Sequence, residues 1–367
     1  MSRKTAFVGF SYMAGLLLAS FFSAPLSIAI GAVLLGFGLC TVFIFRPKHS
    51  GNFYRSAVCA VACCVGLWIY SGYDLTVCRN ITANIGAGNG ANIGNFCGTV
   101  TIEQSTVYSE EKAFYIAHCT FPNGASGNVG FFDRRSDLVK GDKITLSGQL
   151  YAPENTGFFN SADYYRSMNV FLLMKSVRTS GYEIKEHNFY RTLDDFRHNV
   201  SDTIRKYVPS EEGELLIGML FGSSKWNMSD RTENLLYRVG IGHVAAVSGL
   251  HMSVAAGIAA ALAIALRLPK WGQFISVTAV SLLFAMTAGF TPSVVRSLIM
   301  VMFVWAAGIF NRRSDSLTSL AAAIIIMTIS SPFIVRSTSF LLSVSGTIGT
   351  AVLSPMFINA YEKKMER

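Results

Sequence analysis

The stretch GIGHVAAVSGLHMSVAAG, Gly240 to Gly257, opens a run, 239–266, that contains no Asp, Glu, Lys or Arg. A run of about 18 or more such residues reads as a helix that crosses a bilayer. Yet this one keeps His243, Ser248 and His251 among four glycines. Polar and ionisable groups at membrane depth are costly and by default mark a substrate or ion path. The glycines permit a broken helix, which is tolerated at depth only where it faces protein or water. Packing of Ser248 and His251 against a neighbouring helix is the alternative.

Outward from this stretch the same pattern recurs. Uncharged runs cover 5–45, 56–73, 271–295, 316–335 and 337–361, and only 14% of the 367 residues are charged, against about 25% in soluble proteins. The 5–45 run is too long for one span and carries Pro25 near its middle, so it reads as a helical hairpin. A cleaved signal peptide fits residues 1–24 poorly, because cleavage after Ala24 would place Phe22 at −3 and Pro25 just beyond the cut. The fold class is an α-helical polytopic membrane protein of about eight transmembrane helices, with a small β domain inserted after the third.

Charge supplies the topology. Residues 74–238 hold 19 of the 22 acidic and 17 of the 31 basic groups, while the remainder is strongly basic. Its basic clusters, Arg3–Lys4, Arg46–Arg55, Arg267–Lys270, Arg312–Arg313 and Lys363–Arg367, all fall on one side if eight spans are drawn. Cytoplasmic links carry the Lys/Arg excess. The expected location is thus the bacterial cytoplasmic membrane, multi-pass, with both termini inside and 74–238 outside. Four regions follow: 1–73, three membrane helices; 74–187, the outer β domain; 188–240, amphipathic and short helices at the outer surface; 241–367, the remaining membrane helices.

In the outer domain FCGTVTIEQ, AFYIAHCTF, NVGFFD, DKITLSGQL and NVFLLMKS are short β-rich runs separated by turn residues. Five such runs suggest a small, partly open barrel of the OB type. Phe189, Leu193, Phe196, Val200, Ile204 and Tyr207 recur at helical spacing, with Arg191, Arg197, Arg205 and Lys206 on the polar face. That helix packs on the domain or lies on the membrane surface. Ser210 is placed to cap the next helix. Cys97 and Cys119 are candidates for a disulfide across neighbouring strands, which an outside location permits. Phe131, Phe132, Arg134, Arg135, Tyr164, Tyr165 and Arg166 are candidates for a face that binds single-stranded DNA, or else ordinary core and turn residues.

A hydrolase reading of Ser248 fails on sequence grounds. AVSGL lacks the G-x-S-x-G elbow, His243 and His251 are not at the spacing of a helical zinc pair, and no carboxylate lies in the run. No metal, cofactor or phosphate-binding loop motif is present. Farther on, AGFTPSVVRSLIMV (Ala288–Val301) starts a helix at Thr291–Pro292, with proline at its first position. Arg296 on its first turns either snorkels to the interface or faces a wet cavity, where a guanidinium suits phosphate oxygens.

Together these blocks resemble the ComEC family, the inner-membrane channel proteins of bacterial natural competence. GHVAAVSGLHMSVAAG is similar to its HLLAVSGLH signature, AMTAGFTPSVVRSLIMV to its TGFSPSVLRA block, and NRRSDSLTSLAAAIIIMTISSPF to a third block in the same order. The resemblance implies passage of single-stranded DNA across the membrane, with His243, Ser248, Gly249, His251, Thr291, Pro292, Ser293 and Arg296 lining or shaping the path. It also implies an outer DNA receptor, a cytosolic ATPase or helicase and single-strand-binding proteins as partners. Two departures stand out. Leu341 replaces the glutamine of the family's GFQLSF block, and the metal motif of the metallo-β-lactamase-like domain that many members carry is missing. A split product, a truncated form or a fragment is therefore expected, completed by homo-oligomerisation or by another chain. Transport of another solute or a polysaccharide, and less so intramembrane hydrolysis, are the alternatives.

Overall fold

The computed structural model of the chain describes residues 4–45, 51–82, 93–109, 112–121, 124–135, 137–153, 160–184, 188–208, 210–222, 238–240 and 247–365. In chain order these form α1 (Lys4–Phe21), α2 (Ala24–Phe45), α3 (Gly51–Tyr73), a short α4 (Arg79–Thr82), β1 (Ile93–Ser109), β2 (Lys112–Thr120), β3 (Ser126–Asp133), β4 (Lys143–Tyr151), α5 (Ser161–Ser167) and β5 (Val170–Glu183). Then come α6 (Phe189–Tyr207), α7 (Glu211–Phe221), α8 (Gly249–Ala265), α9 (Lys270–Ala288), α10 (Pro292–Ile309), α11 (Ser316–Ser330), α12 (Thr338–Ile348) and α13 (Ser354–Met365). Two compact units result: 1–76 with 256–281 and 295–367, and 77–255 with 282–294.

The first unit is helical. Among the described residues, Ser56–Thr82, Lys270–Ala288, Pro292–Ile309 and Thr338–Ile358 are long and apolar enough to cross a membrane. Thr5–Phe21, Ala24–Gly36, Gly249–Ala265 and Ser316–Ser330 are shorter apolar helices at the other places where the sequence called for spans. The expected break in the first run is present, and α2 begins beside Pro25, which needs no backbone donor in a first turn; α1 and α2 each pack chiefly on α3 and little on each other.

Small residues set the packing. A Cβ on Gly15 would lie 2.0 Å from the Cys63 carbonyl oxygen, and one on Gly66 would lie 2.4 Å from that of Tyr12. So α1 and α3 touch backbone to backbone. In lipid, where apolar surface alone drives little association, such close approach is a main source of packing energy. On another face α1 meets α11, where the Thr328 hydroxyl donates to the Tyr12 hydroxyl at 3.3 Å. Ala256, Ala259, Ala260 and Val277 form a further core, against which Val301 and Trp305 pack.

The second unit contains a closed five-stranded barrel of order β1-β2-β3-β5-β4, with β4 returning to β1. Neighbours are antiparallel except β3 and β5. All five expected strands are present, and β1 and β5 are longer than expected. Closure is complete because β1 is long enough to pair with β4 over Ile93–Thr101 and with β2 over Thr101–Ser109. Strand alternation sends Tyr115, Phe131, Ile144, Leu146 and Leu150 inward, all fully buried. The Tyr115 hydroxyl donates to the Arg135 carbonyl at 2.7 Å, and burial pushes its pKa well above the usual phenol value.

The helix at 189–207 has the expected limits, but its buried stripe is rotated. Leu193, Arg197 and Ser201 are buried, whereas Phe189, Phe196 and Tyr207 are exposed. Arg197, expected on the polar face, turns inward because it finds partners there: Asp194 at 3.2 Å and the Met286 carbonyl oxygen. Burial pulls its pKa down, and the Asp194 carboxylate opposes that. Ile217 and Phe221 of α7 pack against Val200 and Ile204. Ser210 stands at the N-cap of α7 as expected, but its hydroxyl donates to the Glu212 carboxylate instead of capping a backbone amide.

Candidate functional site

At the start of α8, the Ser248 carbonyl accepts the first helical hydrogen bond, from Met252 N–H at 3.4 Å. That makes Ser248 the N-cap and His251 the third helical residue. The His251 ring reaches back, and its Nδ1 accepts the Ser248 backbone N–H at 3.1 Å. An amide can only donate, so Nδ1 presents its lone pair and the neutral ring carries its proton on Nε2. The Ser248 hydroxyl lies 3.2 Å from the same nitrogen. This is the returning half of a capping box, with histidine in the place usually held by Glu or Gln. The S-x-x-H spacing therefore starts a helix and points an Nε2–H donor away from the cap. Gly249 lies half-buried at the first helical position. His243 lies outside the described residues.

The second block begins where α9 ends. The Ala285 carbonyl accepts from both Gly289 and Phe290, at 3.0 and 3.1 Å. Both residues are left-handed, at φ 86° and 53°. Such a conformation is easy for glycine and costs phenylalanine about 1–3 kcal/mol. The turn delivers Pro292 to the first position of α10. Thr291, Pro292 and Ser293 are half-buried there, and the Thr291 hydroxyl is buried without a hydrogen-bond partner among the described residues.

Arg296 follows on the next turn and is only 7% exposed, so it does not snorkel. Its Nε donates to Ser343 Oγ at 2.8 Å and its Nη1 to Thr347 Oγ1 at 2.6 Å. Nη1 also lies 3.1 Å from Met300 Sδ, and Nη2 lies 3.5 Å from Ser297 Oγ. Among the described residues no carboxylate forms an ion pair with it. A buried cation held only by neutral acceptors keeps most of its desolvation cost. An anion arriving there would relieve it, and the guanidinium fork matches phosphate oxygens. Ser343 and Thr347 lie four residues apart on one face of α12 and were not singled out from the sequence. Their signal was an S-x-x-x-T pair inside an uncharged run. They supply polarity on the helix where Leu341 stands for the family's glutamine.

In the barrel domain the candidate residues do not form one face. Phe131 points into the barrel and packs on Tyr115, with ring centroids 5.7 Å apart, while its neighbour Phe132 is exposed. Tyr165 packs on core Phe114. Arg135 pairs with Asp137 at 3.2 Å and lies over the Tyr182 ring. Tyr164 and Arg134 are exposed and Arg166 is half-buried. Cys97 and Cys119 are free thiols. Cys97 is exposed on the strand face that pairs Ser147, whereas Cys119 is buried opposite Gly127, so the two point to opposite sides of the barrel wall. Burial pushes the Cys119 thiol up to about 12.

Residues 219–366 match the family described as Competence protein. That part of the chain is similar to the competence family. It contains both blocks just described, the α8 cap and the Arg296 cluster, and agrees with the ComEC resemblance of their motifs. No curated protein matches the chain. No solved structure matches it either.

Proposed function

We propose that this chain is a channel component that passes single-stranded DNA across the bacterial cytoplasmic membrane during natural transformation. The carrying observation is Arg296, a buried guanidinium with hydroxyl partners and no ion-paired carboxylate among the described residues. One such cation suits a polyanion in transit, since conduction needs sites that bind weakly enough to release. The Nε2–H of His251 and the hydroxyls of Ser343 and Thr347 are further donors and acceptors for phosphate or base edges. The barrel's strand order and closure support an OB-type domain on the outer side, and the basic links support inward termini. In this reading the chain works with an outer DNA receptor, a cytosolic ATPase or helicase, and single-strand-binding proteins.

The test is uptake of labelled DNA with Arg296→Gln and His251→Ala at matched protein levels. Loss of internalised strand with normal outside binding is the expected result. Normal uptake in both variants would overturn the assignment.

A further inference from the structure

Helix α6 leaves a row of rings uncovered. Phe189, Phe196 and Tyr207 are each more than half exposed. Phe196 follows Phe189 by about two turns and Tyr207 by about five, so the three share one line along the helix. The neighbouring faces of α6 are taken. Leu193, Arg197 and Ser201 are buried, and Val200 and Ile204 pack against Ile217 and Phe221 of α7. An exposed apolar row on an otherwise packed helix marks contact with a protein or a membrane.

Position decides between the two. The Arg197 guanidinium donates to the Met286 carbonyl, in the last turn of α9. A short turn follows, and α10 begins at Pro292. Both α9 and α10 are long and apolar enough to cross a membrane. Where two spans meet in a short turn, the membrane surface is close by. Arg197 lies near the middle of α6, so it ties the helix to that level. Phe290 in the turn is exposed as well. The row of rings runs about 27 Å at 1.5 Å per residue, so only a helix lying flat on the surface keeps all three at one depth. The boundary between headgroups and acyl chains is where aromatic rings collect.

Charge does not supply the attraction. Residues 188–222 carry four basic and six acidic groups, and Arg205 pairs with Asp202 at 3.7 Å. Apolar area has to do so. We propose that the row Phe189–Phe196–Tyr207 is a bilayer-docking surface, which enters the headgroup boundary of one leaflet without selecting anionic lipid. The same helix grips the barrel: Arg191 pairs with buried Asp142 at 2.9 Å, and the Asn188 side-chain amide donates to the Lys140 carbonyl at 2.6 Å. Docking of α6 therefore holds the barrel against the membrane. The inference rests on α9 and α10 crossing a membrane, and not on the strand-transport reading.

The test uses the full chain in phosphatidylcholine vesicles that contain a lipid with a diazirine high on its acyl chain. After irradiation, labelled peptides are mapped by mass spectrometry. Label is expected on α6 at the three rings, at low and high salt alike, because apolar insertion is not screened. Phe196→Asp with Tyr207→Asp should cut that label about tenfold and leave the label on α9 and α10 unchanged. Both side chains are exposed, so the thermal midpoint in detergent should not move. Labelled α9 and α10 beside an unlabelled α6 overturns the docking surface, as does undiminished label in the double variant. Label that appears only with added phosphatidylglycerol at low salt overturns the apolar mode of docking. Cross-links from α6 to a second copy, without lipid label, overturn it in favour of a protein partner. A chain labelled nowhere overturns the membrane placement on which the inference rests.

Discussion

Among the described residues two arginines are buried, and their surroundings differ in kind. Arg197 meets a carboxylate and the carbonyl of the last turn of a helix, where the dipole favours a cation. Arg296 meets two hydroxyls, a thioether and a distant serine. The first charge is largely answered by the protein and pins α6 to the turn after α9. The second is answered only by groups that solvate it, so its compensation is left to something that comes and goes. Burial alone does not mark a functional charge; the kind of partner does.

Each contrast can be broken. The largest effect is expected at Arg197, where Gln would remove the charged hydrogen bonds to Asp194, leaving it only the His198 ring at 3.7 Å, and to the Met286 carbonyl, at about 3 kcal/mol of stability. Thermal unfolding of the detergent-solubilised chain checks it, and an unchanged midpoint would remove the pin. Arg296→Gln should leave that midpoint nearly intact but slow DNA uptake by about 30-fold, or about 2 kcal/mol. A variant that unfolds instead would make Arg296 structural like its counterpart. Ser343→Ala removes one of the hydroxyls that orient the fork, so a loss of about 1 kcal/mol, near fivefold in uptake, is expected. The smallest change is a labelling pattern. A maleimide should modify Cys97 in the folded barrel, and Cys119, held protonated by burial with a pKa pushed up to about 12, only after unfolding. Protection of both thiols until a reductant is added would restore the disulfide.

Much of the helical frame was legible because lipid tolerates few charges, so the uncharged runs and the basic links between them are imposed by the solvent. The strands were legible because one barrel face is buried, which writes a period of two into residues such as those of AFYIAHCTF. The side that α6 buries was not. Its apolar period pointed to Phe189, Phe196 and Tyr207, but the neighbouring surface offers the Met286 carbonyl, which Arg197 takes up. Periodicity reports that a helix has two sides, not which neighbour it meets. The role of His251 was half legible. Its place beside Ser248 suggested a polar path, whereas capping geometry accounts for Nδ1 and leaves Nε2 for any path. Ser343 and Thr347 escaped notice because hydroxyls in apolar helices ordinarily satisfy themselves on the preceding turn, as Thr347 does on the Ser343 carbonyl at 2.9 Å. Only the arrival of Arg296 from another helix gives them a second use.

The closed barrel has a consequence for assembly. Each of its five strands has two partner strands, but β1 meets β4 only along Ile93–Thr101 and β2 only along Thr101–Ser109, so what edge remains is short and broken. Short, broken edges make the barrel a poor template for polymerisation by sheet extension or for recruiting an extended peptide by strand addition. A protein that binds the barrel has mainly loops and outward side chains to engage. Such contacts form and dissolve without unzipping a sheet.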